Sequence, residues 1–231
     1  QTGLAASVVL VAAGCGKTHA ENKKEAMDRW TSARASVMYG VAVQQFETGE
    51  FDRASESINQ VLSVDPMHAP FNVLAARIAL EKNELERAYR HLELATKADP
   101  KNADAHYLTG VILQRWQRNE AATAAYLAAY EANPESDAGL IAAGEMLALE
   151  GQGDRAIALM RSKLIYFEHS AALRMAIGRI HMKQRKFDEA IRMFNEAYVL
   201  ATDDPNTLEQ LAMAEYAAGR FSDALFHLRQ L

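Results

Sequence analysis

The chain has 231 residues, a formal net charge of −5 and about half of its residues apolar (49%), enough for a continuous core. The acidic balance excludes a global basic field of the kind that draws proteins to nucleic acid. The single cysteine, Cys15, excludes an internal disulfide, and none of the seven histidines stands at metal-ligand spacing to a cysteine or carboxylate, so no metal and no cofactor is expected.

Residues 4–13 read Leu-Ala-Ala-Ser-Val-Val-Leu-Val-Ala-Ala. The run is too short for an ordinary membrane-spanning helix and has the length of a signal-peptide core with small residues at its end. Ala12-Ala13-Gly14-Cys15 resembles the lipobox of bacterial lipoproteins, with Ala12 where that pattern prefers Leu. The resemblance implies cleavage before Cys15, lipid on its sulfur and new amino group, and a periplasm-facing site in a bacterial envelope, on the outer membrane first. Acyl chains contribute about 0.8 kcal/mol per buried CH₂, so several on one residue anchor stably. Without an initiator Met or a basic n-region, the alternative is an apolar helix retained in the inner membrane. Residues 1–15 are therefore read as signal peptide and lipobox, or as an apolar anchor.

Gly16-Lys17-Thr18 after Val8-Val9-Leu10-Val11 has the look of a phosphate-binding loop, but Val11 stands where the first glycine of G-x-x-x-x-G-K-[ST] belongs. No βαβ pattern succeeds it, and nucleotide binding is not expected. Residues 16–34 begin polar and charged and then turn helical in pattern. They are read as a tether and lead-in helix, with Met27 and Trp30 packing on the chain beyond residue 34.

From Ala54, steps of 34 land on Ala88, Ala122, Ala156, Ala190 and Ala224. Twelve residues before each lies a second small residue: Ala42, Ala76, Gly110, Gly144, Gly178 and Ala212. A fixed period of this length marks a repeat array, with units at 35–68, 69–102, 103–136, 137–170, 171–204 and, incomplete, 205–231. In the first unit, Met38, Val41, Ala42 and Gln45 trace one amphipathic helix (A), and Ala54, Ile58, Val61 and Leu62 a second (B). Gly49 suits the left-handed residue that ends helix A. Asp65-Pro66, Asp99-Pro100 and Asn133-Pro134 stop the B helices. The small residues are expected to face each other where the two helices approach most closely.

This register resembles the tetratricopeptide repeat family. Leu108, Gly110, Ala122, Tyr126, Ala129 and Pro134 follow its pattern in the third unit, and Ile177, Gly178, Phe187, Ala190, Phe194 and Ala197 in the fifth. The resemblance implies an all-α, right-handed α-solenoid of about six helix-turn-helix repeats that binds another protein or peptide on the concave face of its A helices. The implied groove residues are Tyr39, Val43 and Phe46, then Val73, Arg77 and Leu80, then Tyr107, Val111 and Gln114, then Ile141 and Glu145, then Met175, Arg179 and Met182, then Met213 and Tyr216. That surface suits an extended or helical apolar segment better than an acidic tail. Tyr39 and Val43 occupy positions where carboxylate-gripping members carry a basic clamp, so a chaperone-tail ligand is not expected.

The fourth unit departs from the pattern, with Lys163 for Ala and Glu168 for Pro around Leu164-Ile165-Tyr166-Phe167. The expectation is a distorted B helix whose apolar end is buried at the joint to unit five. Arg174, Arg179, Lys183, Arg185 and Lys186 make unit five basic, read as a solvated face. Leu231 falls inside helix B of unit six, so continuation of the chain, or self-association through that uncapped face, is expected. No G-x-S-x-G, H-E-x-x-H or Cys/His arrangement is present, and no catalytic residue is assigned. The function expected is a protein–protein scaffold of the envelope that assists assembly of a membrane, pilus or secretion complex; the alternative is the N-terminal scaffold of a longer enzyme or secretion component.

Overall fold

The computed structural model describes residues 18–231. The apolar stretch at 4–13 and Cys15, with the lipid and anchor expectations attached to them, lie outside the described residues. Twelve helices and no strand occur among the described residues: α1 (His19–Glu47), α2 (Phe51–Leu62), α3 (Ala69–Glu81), α4 (Leu85–Ala98), α5 (Ala103–Arg115), α6 (Asn119–Ala132), α7 (Ala138–Leu149), α8 (Gly153–Arg161), α9 (Ala171–Lys183), α10 (Phe187–Leu200), α11 (Pro205–Ala217) and α12 (Phe221–Leu228). They form an all-α solenoid of six antiparallel pairs. None of the described helices is long and apolar enough to cross a membrane.

The lead-in is not a separate element. The Thr18 hydroxyl accepts from the Glu21 amide while the Glu21 carboxylate accepts from the Thr18 amide, a capping box that starts α1. The helix then runs unbroken through the first unit's helix A. Trp30 is 60% exposed and Met27 is exposed too, against the expectation that they pack on the array. The reason is geometric: the core contact between α1 and α2 reaches Ala35, which shares a cluster with Val61, α2 ends at Leu62, and Trp30 meets only an open hollow edged by Gln60, Ser63 and Val64. Trp30 instead has the Arg34 guanidinium 5.7 Å from its ring.

The turn from A to B is the same device six times. Asn83, Gln117 and Arg185, and Gly49, Gly151 and Gly219, all have positive φ, each 34 residues from the next. At the first turn the Gly49 amide donates to the Phe46 carbonyl and the Glu50 amide to the Gln45 carbonyl, the paired bonds of a Schellman cap. The same pair recurs at every turn, ending with Gly219 to Tyr216 and Arg220 to Glu215. This closure starts the B helices without any side-chain cap, whereas Asn102, Ser170 and Asp204 cap A helices.

α4 and α6 end directly before the Asp-Pro and Asn-Pro steps. α2 ends earlier, at Leu62, and the extra residues form a loop held by Asn72. This fully buried amide donates to the carbonyls of Pro66 and His68 and lies 3.0 Å from His91 Nδ1.

The core is one continuous stack. Its successive clusters each join one unit to the next, as Ile58 and Val61 of α2 pack with Leu74 and Ile78 of α3, and Leu140, Ile157 and Met160 with Leu173 and Ile177. No pair buries its apolar faces alone. Of the small residues, Ala42 and Ala54 share one cluster and Ala76 and Ala88 another, and the glycines have a further close neighbour. A Cβ on Gly110 would meet the Tyr126 ring, one on Gly144 the Met160 side chain, and one on Gly178 the Phe194 ring. Each of these partners sits four residues beyond the periodic alanine, so the close neighbour of the helix A glycine is the large residue one turn further on.

The fourth unit's B helix is short, and the chain leaves it through successive i to i+3 bonds, from the Lys163 amide to the Met160 carbonyl through to Phe167 on Leu164. Leu164 and Phe167 pack on the core between units four and five, while Ile165 and Tyr166 are exposed. The expected burial therefore holds for half of the segment, because i to i+3 turns place residues three apart, Leu164 and Phe167, on one side and leave Ile165 and Tyr166 on the other. Lys163 lies within 6.0 Å of both the Tyr130 and Tyr166 rings.

Candidate functional site

Successive A helices lie side by side and make one continuous face. Tyr39 of α1 meets Phe71 of α3 at 5.0 Å between ring centroids, Arg77 of α3 places its guanidinium 5.3 Å from the Phe46 ring of α1, and Arg179 of α9 pairs with Glu145 of α7. The geometry arises from the repeat: residues 34 apart occupy equivalent positions on neighbouring helices, so one column of each helix lines the face.

Two hollows hold half of the sequence-predicted groove residues. The first, about 290 Å³, brings together Tyr39, Val43, Phe46, Val73 and Arg77, with Asp104 at its edge. The second, about 310 Å³, brings together Gln114 and Arg179 with Glu145 and Lys183. Tyr107 lines a third, of about 330 Å³, where α5 meets the α6–α7 connection. Leu80, Val111 and Met182 are half-buried, packed against core clusters. Met175 is 4% exposed and belongs to the core rather than to an open face, because it packs between its own pair and the neighbouring unit, whereas Val73, 8% exposed, is shared between the core and the first hollow. Met213 and Tyr216, by contrast, are well exposed.

The face is apolar with isolated polar points, and several of those points are already engaged. Gln114 accepts from the Tyr126 hydroxyl at 2.8 Å. That phenol is pushed up to about 12, first by burial and then by its neighbours Tyr107 and Glu145. Burial raises the Tyr39 phenol as well, against the nearby Arg77 charge. Both hydroxyls stay neutral at physiological pH and serve as hydrogen-bonding groups, not as bases.

The basic residues of unit five separate into roles that spacing alone does not reveal. Arg174 donates to the Phe167 and Ser170 carbonyls and pairs with Glu196, so it fastens the α8–α9 connection. Arg179 is held by Glu145, and Lys186 by Asp154. The last belongs to a series that ties units together on the outside, with Lys82 on Asp52 and Arg220 on Asp188. Among the described residues there is no cluster of three or more His, Cys, Asp or Glu side chains placed to hold a metal ion.

His181 was not singled out by any sequence pattern. It is 5% exposed, and neither of its ring nitrogens has a hydrogen-bond partner. Burial holds its pKa below the usual value, Arg161, Lys186 and Arg192 add to the effect, and Glu189 opposes it. The register contains the explanation. The equivalent pairs are Gln45 with Ser57 in unit one and Glu215 with His227 in unit six, each joined at 2.8 Å. In unit five the residue twelve beyond His181 is Met193, which cannot answer the imidazole.

Comparison with known proteins agrees with this architecture. The family profile described as tetratricopeptide repeat matches residues 45–112 and 147–206, and a second profile of the same description matches 103–136. The TPR repeat-containing protein MJ1428 of Methanocaldococcus jannaschii is 29% identical over 119 residues, 51% of this chain, which spans 21% of that relative's length. Among solved structures, pilF of Pseudomonas aeruginosa superposes with a TM-score of 0.71 at 16% identity, over 87% of this chain and 91% of that one. PilW, a type IV pilus biogenesis factor, gives 0.72 at 19% identity, over 85% and 91%. At these identities the likeness is one of fold. With the family profile covering more than half of its residues, and six helix pairs stacked in a single register, the chain belongs to the tetratricopeptide repeat family.

Proposed function

We propose that the chain is a protein–protein interaction scaffold that holds an extended or helical apolar segment of a partner along the A-helix face. The observation that carries this reading is the hollow of Tyr39, Val43, Phe46 and Arg77, a half-exposed apolar surface left unfilled by the chain itself and continued by Tyr107, Val111 and Met182. Partner segments in such grooves anchor alternate or i, i+4 side chains in apolar hollows. No catalytic step is assigned; Gln114, Glu145 and Arg179 of this face are engaged in structural bonds. A photo-crosslinking residue at Val111 is expected to capture the partner in cells, and the same residue at Glu93, exposed on α4, is not. Capture from both positions, or from Glu93 alone, would overturn the groove assignment.

The envelope placement is the finer part of the proposal. Ala12-Ala13-Gly14-Cys15 supports lipid anchoring, and the likeness in fold to pilF and PilW is compatible with a role in assembling a pilus or another envelope complex. Replacing Cys15 with Ser is expected to release the protein from the membrane fraction; unchanged association would refute lipidation. Self-association is a second reading, motivated by the exposed Phe221, Leu225 and Phe226 on α12, and a concentration-independent monomer in sedimentation would exclude it.

A further inference from the structure

A cavity of about 650 Å³ adjoins the groove, between the middle of α1 and the α2–α3 connection. It is about twice the volume of any groove hollow. Its lining is aromatic: the exposed His68 imidazole stacks on the buried Phe71 ring, with centroids 3.8 Å apart and planes at 26°, and the half-buried Tyr39 meets Phe71 at 5.0 Å, so the open ring surface is that of His68 and Tyr39. Asp28 of α1 and Asp65 of the connection line the same cavity, together with Ser36, and no lysine or arginine does. Among the described aspartates Asp52, Asp154 and Asp188 pair with Lys82, Lys186 and Arg220 and the others carry no ion pair, so Asp28 and Asp65 are singled out by sharing one cavity. Asp28 and Asp65 have no cationic partner among the described residues.

Two unpaired carboxylates beside aromatic faces, in a concave site, complement a planar cation. A guanidinium stacks flat on a ring while its edge donates to carboxylates, which a compact ammonium cannot match. We propose that this cavity takes an arginine side chain of a protein partner. Tyr39 and Pro70 line both this cavity and the first groove hollow, so the arginine belongs to a segment that continues along the A-helix face and sets its register there. That continuity rests on the groove reading; the preference of the cavity for arginine does not.

The test titrates the isotopically labelled protein with acetyl-Ala-Ala-Arg-Ala-Ala-amide and with its citrulline counterpart, which keeps the shape and loses the charge, and follows amide resonances. Saturable shifts at Asp28, Ser36, His68 and Phe71 are expected with the arginine peptide. Affinity is expected to fall at least tenfold with citrulline and in the Asp28→Asn, Asp65→Asn double variant at unchanged melting temperature. Should the double variant melt early, Asp28→Asn alone, on an exposed helix face, carries the same comparison. Equal response to the two peptides, or indifference to the substitutions, overturns the assignment. Saturation by free arginine amide as tight as by the peptide also overturns it, since the occupant would then be a small cation and not a partner segment. The groove reading fails on a different observation, crosslinking at Val111, so the two outcomes stay distinct.

Discussion

Gly110 and Tyr126 fit so closely that a Cβ on the glycine would lie 2.6 Å from both Cδ1 and Cε1 of the tyrosine ring. The same relation holds between Gly144 and Met160 and between Gly178 and Phe194. At the corresponding positions of the first two units Ala42 and Ala76 share core clusters with Ile58 and Leu92. Where helix B carries a ring or a methionine, helix A gives up its methyl. Gly110→Ala is therefore expected to destabilise by about 1–3 kcal/mol through overpacking. Tyr126→Leu alone leaves a void and breaks the bond to Gln114. The double variant, which recreates the Ala76 and Leu92 combination, is expected to be more stable than the sum of the two losses. Urea denaturation of the four proteins measures this coupling, and strict additivity would contradict the complementary fit.

His181 leads to a pH prediction. Its pKa is held below the unfolded value of about 6.5, chiefly by burial. As pH falls past that value the unfolded chain takes up a proton that the folded chain refuses, so stability falls with acid until the folded pKa is reached. His91 is lowered too, by burial and then by Arg87 and Arg90, and adds the same sign. His181→Leu removes an unanswered imidazole from beside Met193 and is expected to stabilise by about 1–2 kcal/mol at neutral pH. It should also flatten the acid limb, leaving the part due to His91. Chemical denaturation from pH 8 to pH 5 reads both effects, and an unchanged acid slope would sink the assignment.

The positive-φ turn residues give a third test. Gly49 sits at φ 78 with open space around its missing Cβ, so Gly49→Ala has no steric clash and loses only backbone ease. A destabilisation of about 1–2 kcal/mol is expected. Gln117 and Arg185 adopt the same conformation at φ 58 and 59, and replacing either by glycine is expected to be neutral or to raise the melting temperature by a degree or more. A clear drop on Arg185→Gly would mean that the side chain holds the turn.

These cases mark what the sequence reveals and what it hides. The 34-residue register is legible because close helix contact dictates small residues, and Gly49, Gly151 and Gly219 announce their turns. Gln117 and Arg185 do not, since either residue adopts any conformation elsewhere. The lead-in hides its continuity behind a polar composition, although Thr18-His19-Ala20-Glu21 carries the capping-box spacing that starts α1. The groove column is a consequence of the register. Which members of the column are buried depends on how neighbouring pairs cross, and no single sequence shows that for Val73 or Met175. The orphan imidazole is recoverable in principle, by comparing His181 and Met193 with Glu215 and His227 one unit on.

The distinction between groove and core yields the last prediction. Val43 and Phe46 are half-exposed and border an open hollow, whereas Met175 is closed in the stack. A glutamate at Val43 or Phe46 reaches water without leaving its helix, so the fold keeps its melting temperature within a few degrees while an apolar partner segment meets a charge it must desolvate. A glutamate at Met175 is closed in by the core cluster, and an unpaired buried carboxylate costs several kcal/mol. Phe46→Glu is therefore expected to abolish the Val111 crosslink in a folded protein, and Met175→Glu to lower stability sharply. Thermal melts run beside the crosslinking assay separate the two, and a Phe46→Glu protein that crosslinks as strongly as the parent would remove the first hollow from the binding surface.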